Sequence, residues 1–125
     1  MKYISIDGDD IGRKITSYYL SNDSENLSKL SSELKISTEK IAFQLQSIGF
    51  SVLFCAADGV VASTKLENDF NNLFDSISKL APNGITFSAG VGSSPREAYI
   101  ALISAKSNGK NCLHQYSDLD SLGLE

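Results

Sequence analysis

The stretch "MKYISIDGDDIG" (residues 1–12) decides the fold and points to the site. Its first half alternates in polarity and contains β-branched residues, which predicts a strand that begins almost at the first residue. Asp7, Asp9 and Asp10 follow around a glycine, and no lysine or arginine comes after them until Arg13. Because three carboxylates within four residues repel one another, the end of this strand is expected to attract a cation.

The composition is that of one soluble domain over residues 1–125, with 42% hydrophobic and 21% charged residues. A formal net charge of −4 leaves no broad basic surface for duplex nucleic acid. No apolar run approaches the ~18 residues that a membrane span needs, so a cytoplasmic protein without a membrane partner is expected. Cys55 and Cys112 are interpreted as buried small hydrophobic residues in a reducing compartment.

The periodicity of apolar residues predicts nine elements in the order β-α-α-β-β-α-β-α-β. Strands are expected over residues 2–6, 50–55, 59–63, 85–92 and 112–116, and helices over residues 11–19, 27–47, 66–80 and 95–109. The tail, residues 117–125, is weakly specified.

The central part of this order is βαββαβ, which favours an α+β fold of the ferredoxin-like type. Such a fold would have a five-stranded, mostly antiparallel sheet with helices on one face. In that topology the first strand is central and runs antiparallel to the strand after the hairpin. Antiparallel neighbours place the end of one strand beside the start of the other. Asp7 is therefore expected to lie next to Asp58.

Asp7, the carbonyl of Gly8 and Asp58 would offer hard oxygen ligands at this edge of the sheet. Mg²⁺ and Mn²⁺ prefer such ligands and keep further positions open for phosphates. The sequence thus predicts a divalent metal site, formed by a strand end and a hairpin tip.

A phosphate site is expected beside the metal. The amides of Asp10, Ile11 and Gly12 open the first helix, and a helix N-terminus favours an anion. The small side chain of Ala57 leaves the approach clear. Lys106 and Lys110 lie near the end of the last helix, and local sequence alone favours a charge there that complements the helix dipole over a contact with phosphate. His114 (in the last strand) is interpreted as a surface or packing residue.

Four segments in order resemble the GGDEF and Cas10-type palm domains of nucleotide cyclases: "ISIDGDDIG" (residues 4–12), "FCAADGVV" (54–61), "FSAGVG" (87–92) and "EAYIALISAKSNGKNCLHQY" (97–116). The chain is most similar to the minimal CRISPR polymerase (mCpol) group. It shares with that group the small size, the start directly on the first strand and the segment "DGDDIG" (residues 7–12). The resemblance covers nearly the whole chain.

This resemblance implies a nucleotidyltransferase that condenses two nucleoside triphosphates into a 3′,3′-cyclic dinucleotide, with a role in antiviral defence. Asp7 and Asp58 would be the catalytic metal carboxylates, and Gly8 the carbonyl ligand, for two Mg²⁺ or Mn²⁺ ions. Lys106 would contact the triphosphate, with Lys110 near it. Since one palm has one triphosphate site and the product needs two nucleotides, a homodimer is expected.

The sequence departs from the family pattern in three places. The hairpin reads Ala-Ala-Asp-Gly (residues 56–59) where the family has Gly-Gly-Asp-Glu or Gly-Gly-Asp-Asp, so the second carboxylate is missing and Asp9 or Asp10 could replace it. The guanine-reading Asn-Asp pair of diguanylate cyclases would fall at Ile15 and Thr16, which favours ATP over GTP. No Arg-x-x-Asp inhibition motif precedes the hairpin.

These departures leave other functions open. The altered hairpin is also compatible with a degenerate palm that binds nucleotide as a sensor without turnover. A nucleotide-ring hydrolase and a diguanylate cyclase are the remaining alternatives.

Overall fold

Strand β1 (Lys2–Gly8) is the centre of a five-stranded sheet in the computed structural model, which describes residues 1–122. The sheet order is β2 (Ser51–Ala56), β3 (Gly59–Thr64), β1, β4 (Phe87–Gly92) and β5 (Leu113–Gln115). Neighbouring strands are antiparallel except β4 and β5, which are parallel. The predicted α+β fold with a central first strand is confirmed.

In the described part of the chain, four α-helices and one 3₁₀ helix accompany the sheet: α1 (Ile11–Leu20), α2 (Ser24–Ser47), α3 (Phe70–Ser78), α4 (Pro95–Ser107) and the 3₁₀ helix Tyr116–Leu122. The weakly specified tail thus forms the 3₁₀ helix up to residue 122, and residues 123–125 lie outside the described residues. None of the helices within residues 1–122 combines the length and apolarity needed to cross a bilayer.

One face of the sheet carries the main hydrophobic core. Ile4 and Ile6 alternate with polar residues along β1, so both point to the same side of the sheet. There they pack in one cluster with side chains of α2 (Ile41, Leu45) and α3 (Phe70, Leu73, Phe74, Ile77). Helices α2 and α3, which belong to the two crossovers of the βαββαβ unit, therefore lie on the same face of the sheet, as predicted.

Helix α4 covers the opposite face, so the expectation of helices on one face only is wrong for this helix. A Cβ atom on Gly90 would overlap the backbone of Ala98 and Leu102, which shows how closely α4 lies against β4. Gly92 approaches Glu97 and Ala98 in the same way. Because the first face is already filled by α2 and α3, the small residues of β4 and α4 pack on the other side.

Capping residues explain where the helix bounds differ from the prediction. Helix α2 begins three residues before position 27 because the Asp23 carboxylate accepts a hydrogen bond from the Asn26 amide at 3.0 Å. Helix α3 begins only at Phe70, since Asp69 accepts from the Asn72 amide in the same manner.

The β2–β3 hairpin turns through only two residues, Ala57 and Asp58, between Ala56 and Gly59. Ala57 has a left-handed backbone with φ of 53°, a conformation that favours glycine. Strand β2 forms the edge of the sheet, and Cys55 on it is exposed. The prediction of a buried Cys55 is therefore wrong, although its Sγ lies 3.6 Å from the Thr38 carbonyl of α2. Cys112 is half-buried.

A second, smaller cluster fixes α1 against α2. Ile11 packs with Leu30 and Leu34 of α2 and with Ile85, which precedes β4. Ile11 is the first residue of α1. Its packing against α2 therefore fixes the N-terminus of α1 beside the end of β1.

Candidate active site

The register of β1 and β3 brings the two predicted metal carboxylates together. Asp7 pairs with Gly59 across the ladder, and the Gly8 amide donates to the Asp58 carbonyl at 3.0 Å. Burial raises the pKa of the Asp58 carboxyl, and the negative charge of Asp7 raises it further. The predicted proximity of Asp7 and Asp58 is confirmed, and the two carboxylates together favour a positive charge beside them.

Asp9 is a structural carboxylate, 4% exposed. Its Oδ1 accepts from the Ser88 hydroxyl at 2.8 Å, and its Oδ2 accepts from the Thr86 hydroxyl at 2.7 Å and the Asn111 amide at 3.0 Å. These bonds tie the end of β1 to β4 and to the loop after α4. Because its oxygens are already hydrogen-bonded, Asp9 is a poor replacement for the carboxylate missing after Asp58.

The Lys106 ammonium lies among the atoms that the sequence assigned to the metal. Its Nζ donates to the Gly8 carbonyl at 2.7 Å and forms ion pairs with Asp7 Oδ2 at 2.9 Å and Asp9 Oδ1 at 3.4 Å. Burial alone would lower the pKa of Lys106, but the hydrogen bonds and charges of Asp7 and Asp9 outweigh it and raise this pKa. Lys106 is therefore a fixed positive charge at the site.

Lys110 reaches the same end of the sheet through Asp10. Its ammonium pairs with the Asp10 carboxylate, and this hydrogen bond lowers the pKa of Asp10. Asp10 precedes α1 with a left-handed backbone, and its side chain does not cap the helix. The first-turn amides, including those of Ile11 and Gly12, have no acceptor within the helix and are open to an anion.

A cavity of about 380 Å³ opens beside Asp58 between α1 and α2. Its walls are mainly apolar, and besides Asp58 they carry two polar side chains, Tyr19 and Ser31. Ala57, next to Asp58, also lines the cavity. Ile15 lines this cavity as the resemblance implies. Thr16 does not, since it lines a shallow depression on another side of α1.

Sequence reasoning therefore missed Tyr19 and Ser31 as cavity residues. Tyr19 lines the cavity on the same side of α1 as Ile11 and Ile15, and its side chain is 65% exposed. Ser31 follows the buried Leu30 on α2. In the sequence, Ser31 is simply a polar residue beside the apolar positions of α2. Such a residue can line a cavity or face bulk solvent, and the sequence pattern is the same in both cases.

The donor set fits a small hard cation. Asp7, Asp58 and the Gly8 carbonyl supply oxygen atoms, as Mg²⁺ and Mn²⁺ prefer. Within residues 1–122, no three side chains of the His, Cys, Asp and Glu types are arranged to hold a metal together. A cation here would thus depend on two carboxylates and a carbonyl, completed by water or substrate oxygens.

We expect the Asp58→Asn variant to be more stable than the wild type in the metal-free protein at pH 7. A raised pKa in the folded state means that folding disfavours the ionised carboxylate, so the charge destabilises the fold above that pKa. The stabilisation should shrink as the pH falls through the pKa and the wild-type side chain is protonated.

Urea unfolding in a chelator, at pH 7 and pH 4, measures this difference. Asp75→Asn, which changes an exposed carboxylate on α3, is the matched control and should leave the midpoint unchanged. A lower midpoint for Asp58→Asn at pH 7 would show that the negative charge of Asp58 stabilises the fold.

Three solved structures with a similar fold contain GGDEF-type domains. The active GGEEF domain of a diguanylate cyclase from Vibrio cholerae has 19% identity and a TM-score of 0.62, with 92% of this chain and 81% of that chain covered. The GGDEF domain of DgcB from Caulobacter crescentus, in complex with c-di-GMP, has 10% identity and a TM-score of 0.63 (93% and 77% covered). An EAL/GGDEF domain protein from M. capsulatus has 20% identity and a TM-score of 0.63 (92% and 83% covered).

These similarities establish a GGDEF-like palm fold for the chain. No curated protein matches it significantly in sequence. The family profile of the minimal CRISPR polymerase domain, mCpol, matches residues 3–116, which span every strand and α-helix described above apart from the first residue of β1. The chain therefore belongs to the minimal CRISPR polymerase (mCpol) family.

Proposed function

We propose that this palm is a metal-dependent nucleotidyltransferase that joins two molecules of ATP into a 3′,3′-cyclic dinucleotide. The observation that carries the proposal is the pair of Asp7 and Asp58 beside the uncapped start of α1. Membership of the mCpol family supports a palm of the cyclase or polymerase type. We also propose, from that membership, a cytoplasmic signal in antiviral defence.

Each element of the site has a separate task in this reaction. Asp7, Asp58 and the Gly8 carbonyl would hold a divalent cation, which when bound supplies positive charge to the phosphoryl oxygens. The open amides of α1 would bind the triphosphate, and Lys106 and Lys110 would stabilise the pyrophosphate that leaves. The cavity between α1 and α2 would bind the base, so the base and the phosphates would lie on either side of Asp58.

The double variant Asp7→Ala, Asp58→Ala should lose at least about 100-fold in product formation, because it removes both carboxylates that hold the cation. Chromatography and mass spectrometry of the products from an equimolar mixture of triphosphates measure the loss and identify the product.

A matched control removes two exposed carboxylates away from the site, Glu67→Ala with Asp75→Ala, and should retain wild-type activity. Cyclic dinucleotide made by the site variant at the wild-type rate would overturn the proposal. If the wild type binds ATP with Mg²⁺ in calorimetry but releases no pyrophosphate, the non-catalytic sensor is favoured instead. The altered hairpin is the observation behind that second function.

We expect ATP to be consumed faster than GTP in direct competition, by about 10-fold or less. The cavity is lined mainly by apolar side chains, so it offers few hydrogen bonds to the edge of guanine. Ile15→Asn introduces an amide into the cavity and should shift the ratio toward GTP. Thr16→Asn, one residue away but outside the cavity, should leave it unchanged. Equal or faster use of GTP by the wild type would contradict the preference.

We propose that the active form is a two-fold homodimer. Closing a cyclic dinucleotide requires each 3′-hydroxyl to approach the α-phosphorus of the other nucleotide to about 3–3.5 Å. A chain with one triphosphate site meets this requirement when two copies face each other. The carboxylates of Asp7, Asp10 and Asp58 from both chains would then lie close together, and metal and nucleotide should relieve their repulsion.

Specific activity should therefore rise with protein concentration in the dilute range, and Mg²⁺ with ATP should tighten the dimer. Sedimentation over a concentration series, with and without nucleotide, provides the measurement. A strict monomer whose specific activity does not change with concentration would exclude this assembly.

A further inference from the structure

The ammonium of Lys106 takes up the oxygen atoms that a divalent cation would need. It is held by the Gly8 carbonyl at 2.7 Å and by Asp7 Oδ2 at 2.9 Å, with Asp9 Oδ1 at 3.4 Å as a third negative neighbour. Two of these three oxygens belong to the predicted metal ligands. The ammonium thus has the position of a cation at the site, not that of a dipole charge at a helix end.

The neighbouring Lys110 offers a direct comparison. It forms a single ion pair, with Asp10, and both side chains are more exposed than Lys106. An exposed pair of this kind contributes little to the fold. Lys106, in contrast, is 27% exposed and reaches inward from the last turn of α4 to three oxygens of β1 and the loop that follows it.

An ammonium and a divalent ion cannot share this position. A divalent ion of the Mg²⁺ type binds oxygen at about 2.0–2.1 Å. An ion that bridges the Gly8 carbonyl and Asp7 Oδ2 would therefore lie where the Lys106 ammonium now lies. Two cations on adjacent lone pairs also repel each other. Entry of the metal therefore requires Lys106 to leave.

We propose that Lys106 is an internal counter-ion that occupies the metal position in the nucleotide-free protein and is displaced when a divalent ion and a triphosphate bind together. The triphosphate gives the displaced ammonium a new anionic partner, so each ligand should favour the other. This inference rests on one part of the proposed function, that the site binds a divalent metal. It does not require that the protein turns over substrate.

Titration with Mn²⁺, followed by electron paramagnetic resonance of the free ion, tests the proposal without any reaction. The wild type should bind Mn²⁺ weakly in the absence of nucleotide. Lys106→Met should bind it about 10-fold more tightly, because the competing charge-assisted bonds are gone. Measured against the Mn²⁺ that the same analogue chelates without protein, a non-hydrolysable ATP analogue should tighten Mn²⁺ binding in the wild type, and by a smaller factor in the variant.

Lys110→Met is the matched control, since it removes the same charge at the same end of the sheet without touching Asp7 or Gly8. It should bind Mn²⁺ with close to wild-type affinity. Lys106→Gln, which keeps a donor for the Gly8 carbonyl but loses the charge, is a second variant in case Lys106→Met does not fold. Thermal unfolding should show a larger stabilisation by Mn²⁺ in the Lys106 variants than in the wild type.

The proposal is overturned if both Lys106 variants bind Mn²⁺ no more tightly than the wild type, or if Lys110→Met gains as much as they do. It is also overturned if the wild type binds Mn²⁺ as tightly alone as with the ATP analogue. Tighter Mn²⁺ binding by the Lys106 variants, in a protein that forms no cyclic dinucleotide, would support the internal counter-ion and refute the proposed function instead.

Discussion

Repulsion among carboxylates at the end of β1 is the constraint on which the rest of the structure depends. Asp7, Asp9 and Asp10 lie within four positions, and the hairpin adds Asp58 beside them. Each has a different environment. Asp9 is surrounded by hydrogen-bond donors, Asp10 pairs with Lys110, and Asp7 pairs with Lys106. Asp58, which burial and the charge of Asp7 disfavour as an anion, is the least compensated of the four.

Both compensating lysines come from the end of α4 and the loop after it, so the docking of α4 also assembles the site. That docking depends on Gly90, since a larger residue there would collide with the helix backbone. A shift of α4 away from the sheet would move Lys106 from Asp7 and Gly8. The close approach of helix and strand on one face thus determines the electrostatics at the strand end.

Topology made much of the fold and the core of the site predictable from the sequence. The central position of β1 beside β3 followed from the βαββαβ pattern, and the proximity of Asp7 to Asp58 followed from that position. The partners of Lys106 could not be predicted, because local sequence favours a different explanation for a lysine in the last turn of a helix, a charge that complements the helix dipole. The rotation of α1, which turns Ile15 toward the cavity and Thr16 away, depends on how Ile11 packs against α2. Local periodicity does not contain that information.

The sequence separation of these contacts has a consequence for synthesis. The central strand is made first, yet its neighbours β3 and β4 begin only at Gly59 and Phe87. The hydrogen bonds of Asp9 span 77 to 102 positions. As the chain leaves the ribosome, β1 therefore has no strand partner until β3 has been made, and Asp7 lacks its partner Lys106 until α4 emerges. Such long-range pairing slows folding. Charged residues that flank an unpaired apolar strand oppose its aggregation, and the carboxylates that follow Ile6 have that position.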